Sequence, residues 1–197
     1  MNTIFDEELI LKSWQDIYKI HNNKYTVAVY NNYCQLQNLL DIEKENFVFD
    51  WRFKFKNDFS LKNKRLEFIV KETSVLFESL TGGDFKVELE KIFRKDSCIL
   101  FHEDNVKLRL LITLSGVGGT QYTDNSNINF NVLDDHWDNP DERNNSLIKD
   151  WNKIKTVNVG DLLILKGKKN KQKSVFHRSF PLSNDIDSRY VLKLTQA

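Results

Sequence analysis

The sequence predicts a single α+β domain spanning 1–197, mainly helical over 1–83 and β-rich over 84–197, with the β part closing as a sandwich or jelly roll. Two patterns carry that expectation. Up to Gly82-Gly83, apolar residues recur largely at helical spacing; beyond it they alternate in short runs cut by turn residues. The 197 residues, 40% hydrophobic and 29% charged, suit one folded domain with a sizeable core.

Leu9, Ile10, Trp14, Ile17 and Ile20 lie near helical spacing behind Asp6 as N-cap, so residues 6–20 predict an amphipathic helix. Tyr25–Tyr30 is β-branched and aromatic and predicts a strand. Leu36, Leu39, Leu40 and Ile42 predict a second helix over 33–45. Phe47, Phe49, Trp51, Phe53 and Phe55 then alternate as in a strand or an extended aromatic segment. A third helix is expected over 61–80, with Leu66, Ile69, Val70, Thr73, Leu76, Phe77 and Leu80 as its apolar stripe. Gly82-Gly83 stands where a left-handed C-cap belongs. These helices are expected to buttress the β part, with a dimer surface as the alternative. Strands are expected at 85–93, 98–103, 107–115, 157–165, 174–179 and 188–195. Residues 124–155, polar and rich in Asn and Asp, read as a long insertion of the kind that forms lids.

Twenty-nine basic residues against 28 acidic ones leave a net charge of +1, so there is no global nucleic-acid signature. The run from Lys166 to Lys173 reads as a solvated basic hairpin, with a phosphate or nucleic-acid contact as the alternative. Cys34 and Cys98 form no CxxC pair, and no stretch approaches the roughly 18 apolar residues of a membrane span. Residues 1–20 lack the basic start and apolar run of a secretory signal, which makes a cytoplasmic protein with reduced thiols the expectation. Neither a Gly-x-Ser-x-Gly elbow nor a phosphate-binding glycine loop is present.

The chemistry-bearing residues gather in the β part. His102 and Asp104 are two apart, so at a strand end they share a face and offer two ligands to a divalent ion. His177 follows the strand-like Ser174-Val175-Phe176 beyond the insertion, and a second histidine held opposite completes a two-His, one-carboxylate triad. The alternative is a satisfied polar cluster in a barrel mouth. In the last strand Arg189, Val191, Lys193 and Thr195 face one way, and Tyr190, Leu192 and Leu194 the other. Arg109 fits either a cationic contact to a ligand or an ion pair across the sheet. Thr113, Thr120, Gln121 and Tyr122 are polar residues within reach of a ligand or members of a plain polar rim. Arg178 alternates away from His177 and reads as structural. His21 reads as a helix cap or surface residue, and His136 as loop polarity.

The order His-x-Asp, later His, then a basic residue about ten positions on resembles the Fe(II)/2-oxoglutarate-dependent oxygenases of the double-stranded β-helix (jelly-roll, cupin-like) fold. The resemblance implies that His102, Asp104 and His177 hold Fe(II) and that Arg189 pairs with the distal carboxylate of 2-oxoglutarate. Arg109, Thr113 and Tyr122 are then further cosubstrate contacts. It implies that O2 is used, 2-oxoglutarate is decarboxylated to succinate, and a C–H bond of a small-molecule or peptide substrate is oxidised. Asp104 disfavours the halogenase variant, which lacks the carboxylate. The ordered blocks Phe101-His-Glu-Asp104, Arg109-Leu-Leu111, Gly116-Val-Gly-Gly-Thr120, Lys166-Gly167 and His177-Arg-Ser179 also resemble an uncharacterised bacterial family over about residues 85–195. The extra glycine in Gly118-Gly119-Thr120 departs from that family's Gly-Thr. Two alternatives stand beside the oxygenase: a cupin-like metal enzyme that does not use 2-oxoglutarate, and a non-catalytic jelly-roll binding module.

Overall fold

A computed structural model describes residues 27–30, 47–51, 59–170, 174–184 and 187–197. The helices expected over 6–20 and 33–45, together with His21, Cys34, Phe53, Phe55 and residues 171–173 of the basic turn, lie outside the described residues. The strands are β1 (Val27–Tyr30), β2 (Phe47–Trp51), β3 (Phe85–Phe93), β4 (Leu108–Gly116), β5 (Thr120–Thr123), β6 (Lys155–Thr156), β7 (Leu162–Lys166), β8 (Phe176–Ser179) and β9 (Ser188–Gln196). The helices are α1 (Lys64–Thr81) and α2 (Pro140–Leu147).

Helix α1 forms where its local signals put it. The Asn63 side chain accepts a hydrogen bond from the Leu66 N–H at 3.0 Å, and Gly82, at φ 63°, ends the helix with its N–H on the Glu78 carbonyl at 2.8 Å. The whole expected stripe, Leu66 through Leu80, is buried, with Ser74 added. It packs on a six-stranded antiparallel sheet of order β1-β7-β4-β9-β3-β2.

Strand alternation divides that sheet's residues between two environments. Val87, Leu89, Leu110, Ile112, Leu162, Ile164, Leu192 and Leu194 join the cluster with the helix stripe. Leu111, Leu163, Leu165 and Val191 join Tyr122, Val157 and Val175 in a second cluster, toward the three-stranded sheet β6-β5-β8. Each fully buried aliphatic side chain stabilises the fold by about 1.5–3 kcal/mol relative to exposure. The second face of the sheet also carries charge, and it is there that the site forms.

Over the described residues the strands expected at 25–30 and 47–55 form β1 and β2, the two edge strands of the larger sheet. Two expectations are corrected. Residues 98–103 form no strand; His102 alone makes an isolated bridge, to His177. The 124–155 segment is not an open loop. It holds α2, three short 3-10 turns and β6, and it buries Ile128, Leu147 and Ile148 against Phe101 and Phe176 in a third apolar cluster. Neither described helix is long and apolar enough to cross a membrane.

Candidate metal centre

The site begins with one pair of backbone hydrogen bonds. His102 N–H donates to the His177 carbonyl at 3.0 Å, and His177 N–H returns the bond to His102 at 2.9 Å. Directly opposed residues of an antiparallel bridge put their side chains on one face, and the two imidazole centroids lie 4.5 Å apart. Asp104, two residues on, turns to the same side. Its carboxylate meets both rings, with His102 Nε2 3.6 Å from Oδ1 and His177 Nε2 3.2 Å from Oδ2.

Asp104 is held from behind by the turn after β7. The Lys168 N–H donates to the Asp104 carbonyl at 2.8 Å, and the Lys169 N–H to the Val106 carbonyl at 3.0 Å. Gly167 sits against this backbone so closely that a Cβ there would lie 2.3 Å from the Val106 oxygen and 2.7 Å from the Asp104 oxygen. Only glycine allows that approach. Lys166-Gly167 thereby has a physical role: the turn it opens positions a carboxylate.

Both rings are oriented alike. His102 Nδ1 lies 2.8 Å from the Leu100 carbonyl and His177 Nδ1 lies 3.2 Å from the Val175 carbonyl. In the neutral ring, a carbonyl at Nδ1 selects the tautomer protonated there and leaves the Nε2 lone pair free. One nitrogen of each ring and an Asp104 oxygen lie within 4.8 Å of one another. Asp104 Oδ2 is buried and makes no aligned hydrogen bond, although Arg109 Nη1 is only 2.9 Å away as an ion-pair contact. A convergent N,N,O donor set, with each ring's Nδ1 already taken by a backbone carbonyl, fits a divalent ion such as Fe(II).

Electrostatics point the same way. Burial works against charge on Asp104, but His102, His177 and Arg109 outweigh it and hold the carboxyl well below the usual carboxylate range. Burial likewise disfavours the charged His102 ring, yet Asp104, Cys98 and the Leu100 carbonyl raise it to about 10. The Cys98 thiol, 3.4 Å from His102 Nδ1, is lowered by that hydrogen bond against the opposing effect of its burial.

A cleft of about 160 Å³ opens beside the cluster, with His102, His177, Arg109, Thr113, Thr120 and Arg189 in its walls. Arg189 is 1% exposed. Its Nη1 donates to the Gly119 carbonyl at 3.1 Å, and its Nη2 to Ser97 Oγ at 3.2 Å and the Phe180 carbonyl at 2.6 Å; Nε has no partner. All three acceptors are neutral, and among the described residues no carboxylate lies at ion-pair distance. Burial lowers the pKa of this cation. Gly119 itself admits no side chain, because a Cβ would lie 1.9 Å from the Val157 oxygen. This answers which part of the Gly118-Gly119-Thr120 turn faces the site: Gly119 and Thr120 line the cleft.

The remaining expected residues divide. Thr113 is buried and lines the cleft. Tyr122 stands opposite His177 in the β5–β8 register, but it joins Leu111, Leu163 and Val191 in the second apolar cluster and is not among the residues lining the cleft. Arg178 also borders the cleft, yet its guanidinium lies over the rings of Phe101 at 4.8 Å and Trp151 at 5.1 Å, with Nε on Gln121 at 2.7 Å. That agrees with a structural role. His136, far out in solvent with Asp138, is not part of the cluster. Sequence reasoning missed Cys98, Glu90 and Lys193 as wall residues. The alternation that faces Arg189 inward does the same for Lys193, which pairs with Glu90 at 2.8 Å; Cys98 lies in irregular chain and left no such signal.

An antiparallel two-sheet domain carrying a His-Asp-His cluster is therefore the class that fold and site define. The sequence matches the family described as "Protein of unknown function (DUF1826)" over residues 61–195, and the chain belongs to that family. No curated protein matches it. Solved structures that it resembles include the dioxygenase for auxin oxidation 1 from Arabidopsis thaliana with 2-oxoglutarate, at 13% identity and TM-score 0.45, covering 99% of this chain and 80% of that one. Another is the epimerase SnoN in complex with Fe3+, alpha-ketoglutarate and nogalamycin RO, at 11% identity and TM-score 0.42, covering 93% and 85%. A third is IDO from Bacillus thuringiensis, at 13% identity and TM-score 0.39, covering 96% and 84%.

Proposed function

We propose that this protein is a non-haem Fe(II)- and 2-oxoglutarate-dependent oxygenase whose two sheets form a double-stranded β-helix. One observation carries the reading. The Nε2 atoms of His102 and His177 converge on Asp104 while each Nδ1 is taken by a backbone carbonyl. In this reading His102, Asp104 and His177 are the metal ligands. When bound, Fe(II) and 2-oxoglutarate supply O2 activation for oxidation of an unactivated C–H bond. The chain's own residues do the rest. The Leu100 and Val175 carbonyls keep both rings in the ligating tautomer. The cleft walls limit water around the reacting groups. Arg189, a buried cation with an unpartnered Nε, takes the distal carboxylate, whose negative charge no described residue now supplies.

A second reading has one observation in its favour. Three of the five Arg189 N–H donors are already committed to Gly119, Ser97 and Phe180, leaving Nε–H and one Nη1–H for a ligand. A cupin-like metal enzyme that does not use 2-oxoglutarate follows if those bonds persist.

The deciding experiment is anaerobic titration of apoprotein with Fe(II) and then 2-oxoglutarate, watching for the visible charge-transfer band of the chelate. The oxygenase reading expects the band in wild type, its loss in His177→Ala, and in Arg189→Met loss of 2-oxoglutarate binding with Fe(II) retained. Fe(II) binding without a band in wild type favours the second reading. No stoichiometric Fe(II) binding defeats both.

A further inference from the structure

We infer that Arg109 is a positioning residue which keeps Asp104 a one-oxygen ligand. This rests on the metal-site reading above and adds a role to a residue outside the ligand set.

Arg109 lies on β4 between Leu165 of β7 and Thr195 of β9, with its Nη1 2.9 Å from Asp104 Oδ2. Among the described residues, Asp104 is the one carboxylate within ion-pair distance of it, so the guanidinium has no competing partner of that kind. Its Nε is buried and unbonded, so the side chain is held chiefly by this contact and its packing. Both partners are largely sheltered, with 21% and 9% of their side-chain surfaces exposed, where a charge contact is screened far less than in water.

A carboxylate facing a divalent ion has two ways to bind. It can close both oxygens on the ion, or give one and leave the other to a neighbour. The two Asp104 oxygens already point to different rings, Oδ1 to His102 and Oδ2 to His177, and both lie within reach of an ion placed between the Nε2 atoms. Apart from the two rings, Arg109 is the one cationic group among the described residues at ion-pair distance of Asp104, so without it no such contact opposes two-oxygen binding. With Arg109 in place, closing the second oxygen on the metal means giving up a sheltered ion pair and drawing the guanidinium toward a like charge. Arg109 thus holds open a coordination position that a two-oxygen carboxylate would fill. Two histidines and a single oxygen occupy half of an octahedral shell and leave about three positions on one side. Two-oxygen binding leaves about two.

The test counts those positions without turnover. Mn(II)-loaded protein is measured by water-proton relaxation at saturating metal, which reads the number of exchangeable waters on the ion. Wild type is expected to give about three, Arg109→Gln about two, and Arg109→Lys, which keeps the charge, a return to about three. An unchanged count in Arg109→Gln overturns the inference, because a purely structural arginine alters affinity and not the count. Should Arg109→Gln fail to fold by circular dichroism, Arg109→Met carries the same expectation of about two, which an unchanged count overturns, and a wild-type count of about two overturns the inference by itself. Wild type that binds no Mn(II) defeats the metal site itself, an outcome separate from any change in count.

Discussion

Replacing Gly167 by alanine tests the link between a distant turn and the centre. The added Cβ would meet the Val106 oxygen at 2.3 Å, the Asp104 oxygen at 2.7 Å and Val106 Cγ2 at 2.8 Å. Ordinary contacts of carbon need about 3.5 Å, so the backbone of residues 104–106 or the turn itself must retreat by about 1 Å. Overpacking of this kind costs about 1–3 kcal/mol. For a chain of this size, that lowers Tm by about 2–12 °C. On the proposed function the greater effect falls on Asp104 as a metal ligand, because the turn holds its backbone through the Lys168 N–H. Loss of such support weakens metal affinity about 10–100-fold. Calorimetry together with Fe(II) or Mn(II) titration of Gly167→Ala reads both effects. Gly83→Ala is the control, since nothing lies within 4 Å of a Cβ there. Gly167→Ala with wild-type Tm and wild-type metal affinity would refute the reasoning.

Other perturbations test the layers around the site. Ile112, fully buried between the sheet and α1, should cost about 2–5 kcal/mol as Ile112→Ala, seen as a lower urea midpoint with an unchanged m value. Trp151→Ala removes one ring from the Arg178 stack and, with Trp151 40% exposed, should cost about 0.5–1 kcal/mol, or roughly 1–4 °C in Tm. Hydrogen bonds from Lys64, Lys71 and the Leu61 N–H lower Glu67 from 4.5 to about 2. A depressed carboxyl contributes fully above its unfolded pKa and loses that contribution as pH falls from 4.5 toward 2. Glu67→Gln should therefore flatten the acid side of a Tm-against-pH curve and leave its neutral side nearly parallel to wild type.

Much was legible in the linear chain because the physics there is local. Helix α1 is set by a cap residue, a 3.6-residue apolar period and a glycine that reaches positive φ, all within one segment. The alternation of β9 places Arg189 and Lys193 on the cleft side and Leu192 and Leu194 against the helix, and no distant partner is needed to read it. His102 and Asp104 share a side because they are two residues apart. Their meeting with His177 is different: order along the chain hinted at it, but a single reciprocal bridge between remote segments brings the rings together.

Tertiary structure alone decided the rest. Whether a polar, Asn-rich segment is an open lid depends on where a few apolar residues land, and Ile128, Leu147 and Ile148 find Phe101 and Phe176 waiting. Short apolar runs such as 27–30 do not say which strand they will pair with, so their place at the sheet edges was invisible. Tyr122 and Thr113 were equivalent as polar residues near the site; packing sent one ring into an apolar cluster and left the other in a cleft wall. The partners of the arginines were likewise beyond reach. A sequence records a cation, but only the fold determines that Arg109 faces a carboxylate while Arg189 faces neutral oxygens, and that difference governs what each can bind.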